Sequence, residues 1–402
     1  MSKPNALTIR IYHDIPALRE VWREFQSITD GGPHDTWEWN AAWAQTAGAS
    51  TTPLIAVGTL ENNETVLLLP LAVRRRKGCL VLEWLSAEQG NYASGLFRRQ
   101  TWADRRLPRG REFLKRLLEA LPPVDAIHLT NQPTDGLEGW SPLSELPGIE
   151  TASAGHAFPL NRDWLQHYNK RFGKRIRADI RRRERRLSEQ GELGLHVVAP
   201  GADLEGAIDR MIEDKRQWFR DRGIEDFFTD HALRDFYLDL ARMPNGEDSP
   251  RLKVFELSVG GTPIAANLGV IYNNVFYGLI SSTTVGSLLR YGPGTILFLR
   301  LIEHLADRGI ERIDCGAGED DNKLRWCTIE RPRFDTIVPV TLKGRIYAAG
   351  LSAKLAAKLR IKNSPRLWIM AKRLRRLGSG GRVHRQTRKH SGLGSGAVRI
   401  QT

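Results

Sequence analysis

The 402 residues are enough for two or three domains, and 41% hydrophobic content is enough to build their cores. Three widely spaced cysteines, Cys79, Cys315 and Cys327, exclude a disulfide framework and point to a reducing compartment. The net charge of +14 suggests nucleic acid, but of the 60 Lys and Arg sixteen lie in 336–402, where no Asp or Glu occurs, leaving 44 basic against 46 acidic residues in 1–335.

The N-terminus has no apolar h-region, and no run approaches the ~20 apolar residues that span a bilayer. The expected setting is therefore cytoplasmic. No Cys/His or HExxH spacing is present, and nothing implies a metal.

In chain order, a strand is expected at 7–12, a helix at 16–28 and a second helical stretch at 36–48. Three strands follow at 53–60, 65–73 and 79–86, then a helix at 111–121 and a strand at 124–131. The second half repeats the order. A strand at 195–198 leads through Asp203, a helix N-cap candidate, to a helix over 204–223. Another helix runs over 230–243. Strands at 252–259, 263–272 and 275–282 are separated by Gly260-Gly261 and Asn273-Asn274, pairs that tolerate tight hairpin turns. A helix over 295–309, with Leu297, Leu301 and Leu305 on one face and Gly309 as its stop, precedes a strand at 310–316. Strand–helix–helix–three strands–helix–strand thus occurs twice, over 7–131 and 193–316. Element order carries this reading, because identity between the copies is slight.

The copies differ before the last helix. The second has Gly292-Pro293-Gly294 there, and the first a single Gly110. A turn that binds a diphosphate needs backbone N–H groups pointing inward at a helix N-terminus, and glycines allow that close approach. Only the second copy is so equipped. Residues 284–295, with Arg290, Tyr291, Gly292, Gly294 and Thr295, are the cofactor-binding candidates; the alternative is an ordinary strand–helix turn.

The stretches "LLPLAVRRRKG", "GNYASGLF", "KRIRADIRRRERRLSEQG", "VGGTPIAANLGV" and "RYGPGTILFLRLIEHLADRGIERIDCGAGEDDNKLRW", in that order, resemble the GNAT-superfamily acyltransferases of cellulose-biosynthesis type. These are related to the double-GNAT Fem aminoacyltransferases. The resemblance covers about 40–345. It implies an α+β chain of two tandem GNAT-like folds. It also implies acetyl-CoA or another acyl-CoA as co-substrate, and a saccharide or cell-envelope precursor as acceptor. One departure is Leu289, which stands where the general GNAT phosphate loop has Gln or Arg, with Arg290 one place late. The implied division is an N-terminal GNAT-like half without cofactor (1–150), a C-terminal half carrying the acyl-CoA loop (151–345), a basic helical tail (346–377) and a disordered basic tail (378–402).

Acyl transfer to a hydroxyl or amine needs a base for the nucleophile's proton and a donor for the leaving thiolate. Asp314, near the end of the last strand, and Glu319, in the acidic loop after it, are the base candidates. The resemblance favours Asp314, Gly318 and Lys323, and Lys323 could bind an anionic group. Tyr277 or Tyr291 could protonate the thiolate. Lys215, Trp218 and Trp326 are substrate-binding candidates, with core packing as the alternative for the tryptophans. Cys315, with no histidine near it in sequence, reads as a buried strand cysteine.

Residues 170–186 hold ten Lys or Arg in seventeen. Phe172, Ile176, Ile180 and Leu187 form a helical stripe expected to dock on the body. Arg175 and Arg183 can each reach Asp179 across one turn. Arg177 and Arg181 would form a cationic rim that attracts a phosphorylated cofactor or acceptor. In the tail, Leu351, Leu355 and Leu359 and the apolar residues after Pro365 suggest either an interfacial helix on an anionic membrane surface or a terminal helix packed on the body. Two rival functions remain at this stage: a Fem-like transferase using aminoacyl-tRNA, and a non-catalytic binding protein of a polysaccharide assembly.

Overall fold

The computed structural model describes residues 7–87, 89–103, 107–134, 141–222, 226, 231–243, 246, 249–318, 321–364, 367 and 370. Residues 1–359 form one compact unit. Residues 360–402 form another, whose described part is 360–364, Leu367 and Met370.

The first repeat runs β1 (Thr8–Tyr12), α1 (Arg19–Ser27), α2 (Trp37–Gln45), β2 (Pro53–Thr59), β3 (Thr65–Arg76), β4 (Cys79–Trp84), β5 (Leu96–Phe97), α3 (Arg99–Ala103), α4 (Gly110–Ala120) and β6 (Ala126–Pro133). A connecting stretch holds β7 (Gly148–Glu150), β8 (Gly155–Pro159), α5 (Trp164–Arg171) and α6 (Lys174–Ser188). The second repeat runs β9 (Leu193–Val197), α7 (Ala202–Arg222), α8 (Ala232–Arg242), β10 (Arg251–Val259), β11 (Thr262–Tyr272), β12 (Val275–Thr283), α9 (Pro293–Ala306) and β13 (Arg312–Ala317). It is followed by α10 (Asp321–Trp326), β14 (Ile329–Arg331), β15 (Arg333–Pro339) and α11 (Leu342–Asn363).

The two sheets have the same plan. The first is ordered β1-β2-β3-β4-β6-β15-β7, with β5 beside β3, and the second β9-β10-β11-β12-β13-β8-β14 when read from its opposite edge. In each, four antiparallel strands are followed by a parallel fifth, β6 on β4 and β13 on β12.

The outer strands depart from the expected division at residue 150. Strand β8, from the connecting stretch, pairs with β13, while β15, from the chain's second half, pairs with β6. The sheets therefore exchange one strand each, and a cut at 150/151 separates no folding unit. The exchange was invisible in the sequence because β7, β8, β14 and β15 are short and carry no clear alternation.

The two repeats also share a core. Trp22, Trp39 and Trp43 of the first lie in one apolar cluster with Ile208, Phe236, Val270 and Tyr277 of the second. Helix α2 is buried along most of its length; its Trp37, Glu38 and Asn40 side chains find partners inside the protein, whereas the indole N–H groups of Trp39 and Trp43 do not. The Glu38 carboxylate accepts from Gln26 Nε2 at 3.0 Å and Ser249 Oγ at 2.8 Å, and it pairs with Arg23 at 3.0 Å. A buried carboxylate is tolerated when its lone pairs are taken up in this way.

Helix α6 departs from the expected stripe at one residue. Ile180 and Leu187 are buried, and so is Phe172, but Ile176 is 43% exposed. Phe172 caps α5 rather than belonging to α6, so helical spacing does not carry across Gly173. Asp179 pairs with Arg182 and with Arg183, the latter at 2.7 Å, and not with Arg175.

Helix α11 begins on the first repeat. The amides of Val340 and Thr341 donate to the Asp125 carbonyl, and the Thr341 hydroxyl donates to its carboxylate at 2.7 Å. A Cβ on Gly344 would stand 1.7 Å from the Asp125 carbonyl oxygen, a backbone atom that cannot swing aside. Gly344→Ala is therefore expected to lower stability by about 1–3 kcal/mol, read in a denaturant melt. No helix among the described residues is long and apolar enough to cross a membrane.

Candidate active site

Strands β12 and β13 pair at only three positions, ending with Tyr277 opposite Asp314. Beyond that point β12 runs on to Thr283 and β13 to Ala317 without pairing to each other. The opening between them is a cleft of about 520 Å³. A bulge makes Leu279 the extra residue opposite Leu268 and Gly269 of β11, and a bulge leaves backbone groups outside the ladder. Leu279 lines the cleft.

Strand alternation sorts the lining onto two faces. Asn267, Ser281 and Thr283 lie on the side of α9, with Gly294, Thr295, Leu297 and Phe298. Ser282 and Ala266 lie on the side of α7, with Asp214, Lys215 and Trp218. The cleft therefore passes through the sheet.

The α9 end is built for an anion. A short 3-10 turn over Ser287–Tyr291 leads to Gly292, left-handed at φ 67°, and Pro293 opens the helix. The first helical amides have no carbonyl behind them, and the helix dipole adds positive potential there. Gly294 is needed for closeness, since a Cβ on it would lie 3.2 Å from the Thr283 methyl. Arg183 of α6 reaches this turn, with Nη1 3.4 Å from the Cβ position of Gly292. Arg290 instead folds over Tyr291, 4.9 Å from its ring and 3.0 Å from its hydroxyl.

Among the described residues, the first repeat lacks this opening. Chain at 91–97 crosses the corresponding region, with Ala93 N–H donating to the Asn131 carbonyl and β5 pairing with β3. The start of α4 is occupied by a carboxylate, as Glu145 Oε2 lies 3.4 Å from the Cβ position of Gly110.

Two polar atoms in the cleft are buried without a partner: Asn267 Oδ1 and Ser282 Oγ. The Asn267 amide nitrogen is already held, donating to Ser281 Oγ at 3.0 Å, so its oxygen is the free acceptor. On the α7 side, burial pushes the Asp214 carboxyl above its ordinary range, and a hydrogen bond from Thr284 Oγ1 at 3.3 Å partly offsets this. Lys215 lies 5.1 Å over the Trp218 ring. Lys323 reaches the cleft and donates to the Ala317 carbonyl at 2.6 Å.

Asp314 reaches the cleft too, but its oxygens are engaged. Oδ2 pairs with Arg331 at 2.7 Å, and Oδ1 accepts from Gly316 N–H at 2.7 Å and Tyr92 hydroxyl at 3.1 Å. Arg331 is itself fully buried and lies 4.3 Å over the Tyr92 ring. Beside them Asn91 accepts from Ala317 N–H at 3.1 Å, and its carbonyl accepts from Arg333 at 2.7 Å. This arrangement is a strut between the repeats, which corrects the reading of Asp314 as a free base.

Tyr277 faces the other repeat, its ring 6.3 Å from that of His34, and it is not among the lining residues. Strand alternation turns it away from the leaving group it was expected to protonate. Trp326 forms one wall but is buried, stacked on Tyr168 at 5.7 Å and packed on Phe172 at 4.5 Å. Arg177 contacts Asn169 on α5, and neither it nor Arg181 lines the cleft; Arg183 is the arginine at the loop. Cys315 is a cleft wall whose thiol is pushed well up by its hydrogen-bonded neighbour Cys327 and by burial, which suits packing rather than nucleophilic attack. Glu319 lies outside the described residues.

Sequence reasoning missed Asp214, Asn267, Ser282, Asn91, Tyr92 and Arg331. Asp214 had a signal, since it stands one turn before Trp218 on the same helical face, and Asn91, Tyr92 and Asn267 lie in stretches that carry the resemblance.

Residues 174–324 match the sequence profile of the acetyltransferase (GNAT) domain family. No curated protein matches the chain. Among solved structures, FemX superposes with a TM-score of 0.53 at 10% identity, covering 80% of this chain and 96% of that one. A conserved protein of unknown function from Bacteroides thetaiotaomicron gives a TM-score of 0.50 at 14% identity, covering 82% of this chain and 100% of that one. These likenesses speak for the fold. The matched residues thus resemble an acetyltransferase (GNAT) domain in sequence, and they hold the cleft-bearing strands of the second of two sheets built on one plan.

Proposed function

We propose that this chain is an acyltransferase that moves an acyl group from acyl-CoA, acetyl-CoA in the simplest case, to a hydroxyl or amine of a saccharide or cell-envelope precursor. Transfer is by direct attack in a ternary complex. The observation that carries this reading is the cleft through the sheet, with a glycine-lined helix N-terminus on one face and a carboxylate of raised pKa on the other.

The residues present suit the donor. The Gly292–Gly294 turn and Arg183 would hold its diphosphate, and Asn267 Oδ1 is a buried acceptor for an amide N–H of the extended arm. When bound, acyl-CoA supplies the activated thioester carbonyl. On the α7 face Asp214 takes the proton of the attacking group and Ser282 positions that group by a hydrogen bond, while the thiolate released as the C–S bond breaks takes its proton from solvent. Lys215 and Lys323 offer charge to an anionic acceptor. Asp314 acts indirectly, by fixing the end of β13 through Arg331.

Release of CoA thiol from acetyl-CoA tests the reading, with amino sugars and nucleotide-linked sugars as acceptors. Thiol release above the uncatalysed rate is expected. Its absence with every acceptor, alongside salt-sensitive binding of aminoacyl-tRNA, would instead favour a Fem-like donor.

A pH dependence follows from Asp214. The base must be ionised, so the rate should fall as pH drops through a value above the ordinary aspartate range. Asp214→Asn should remove that limb and lower turnover by about 10²-fold or more, with acetyl-CoA binding unchanged.

A further inference from the structure

The surface beside the cleft mouth combines two features that rarely occur together. Residues 162–186 carry eleven Lys or Arg against three Asp or Glu. Two of those acids are already engaged, Asp179 by Arg182 and Arg183 and Glu184 by Arg300. Among these cations stand exposed aliphatic side chains: Leu165 at 53%, Ile176 at 43% and Leu324 at 53%. Val285 and Leu289, in the loop before α9, are exposed as well.

These elements are neighbours in the fold. Helix α6 packs on the 287–291 turn, and Arg171 at the end of α5 donates to the carbonyls of Leu324 and Arg325 on α10. Solvation alone accounts for the arginines and leaves five exposed aliphatic residues unexplained. A nucleic-acid partner would use the charge without the aliphatics, because phosphate contacts are electrostatic. A protein partner would use the aliphatics and would have to neutralise the charge. An anionic bilayer satisfies both, with basic side chains at the headgroups and aliphatic ones inserted between them.

We propose that the face formed by α5, α6, α10 and the loop before α9 docks on an anionic phospholipid bilayer, holding the cleft mouth at headgroup level. The residues of this surface all belong to the unit 1–359.

The test is co-sedimentation of the full chain with vesicles of phosphatidylglycerol and phosphatidylcholine in equal parts, against phosphatidylcholine alone. Wild type should sediment with the anionic vesicles only and be released as salt rises. Leu165→Glu/Ile176→Glu, which reverses the face at two exposed positions, should weaken that partition by about tenfold or more. The variant's thermal transition and its acetyl-CoA binding heat should match those of wild type, which separates failure of docking from failure of the acyl-CoA reading. Equal sedimentation of variant and wild type would overturn the proposal by assigning the binding elsewhere. So would no sedimentation of wild type, or tRNA binding lost in the variant without any binding to vesicles.

Discussion

Replacing Arg331 with methionine is expected to lower the unfolding free energy by about 3–5 kcal/mol. The guanidinium is 0% exposed and its partner Asp314 1% exposed, at 2.7 Å. Removing the cation leaves a buried carboxylate that keeps the Gly316 amide and Tyr92 hydroxyl as donors and the more distant charge of Arg333. The loss therefore reflects an uncompensated charge more than the worth of the pair itself. Asp314→Leu in the same chain removes that charge and should recover most of the loss, so the two substitutions are strongly non-additive. Urea melts of the two single variants and the double variant measure this. A loss below about 1 kcal/mol for Arg331→Met would contradict the strut between repeats.

The second large effect is acid destabilisation through His34. Its ring is fully buried, neither nitrogen has a partner, and Trp39 packs edge-on at 4.6 Å. Burial first, and then the charge of Arg331, push its pKa from 6.5 down to about 3. The unfolded chain therefore binds a proton that the folded chain refuses between those two values. Stability is full above pH 6.5 and falls as pH drops toward 3. Relative to pH 7.5, this one group should remove about 2–3 kcal/mol by pH 4.5. His34→Leu should flatten that part of the stability–pH curve. An unchanged slope would show that the histidine titrates elsewhere or is solvated.

The two halves of the account were unequally visible in the sequence. Repeat order was legible because the long strands alternate or run apolar, and because Gly260-Gly261 and Asn273-Asn274 mark their turns; these residues do adopt positive φ. The α9 turn was legible from Gly292 and Gly294, whose freedom and size the backbone there uses. The strand exchange was not legible, since β8 and β15 pair with partners more than a hundred residues away and nothing local encodes that choice. Asp314 was found for the wrong reason. It lies mid-strand in β13, where pairing with β12 stops, and its partner Arg331 lies in a short strand that no periodicity reveals. Asn267 and Ser282 look like ordinary strand residues, and only the structure shows that Asn267 Oδ1 and Ser282 Oγ are buried beside the opening without a partner.

The basic stretch at 170–186 illustrates the same limit. Its composition alone cannot separate Arg183, which reaches the Gly292 turn, from Arg177, which faces Asn169. The difference is rotation about one helix, fixed by Ile180 and Leu187 in the core.

Isothermal calorimetry of the full chain with acetyl-CoA tests the central claim most directly. The account predicts one site per chain, because Glu145 sits at the first repeat's helix start and, among the described residues, the opening between strands lies in the second repeat. Gly294→Trp, which fills the turn against Thr283, should abolish the heat without unfolding the protein. Absence of binding by wild type at millimolar acetyl-CoA, or undiminished binding by Gly294→Trp, would contradict it.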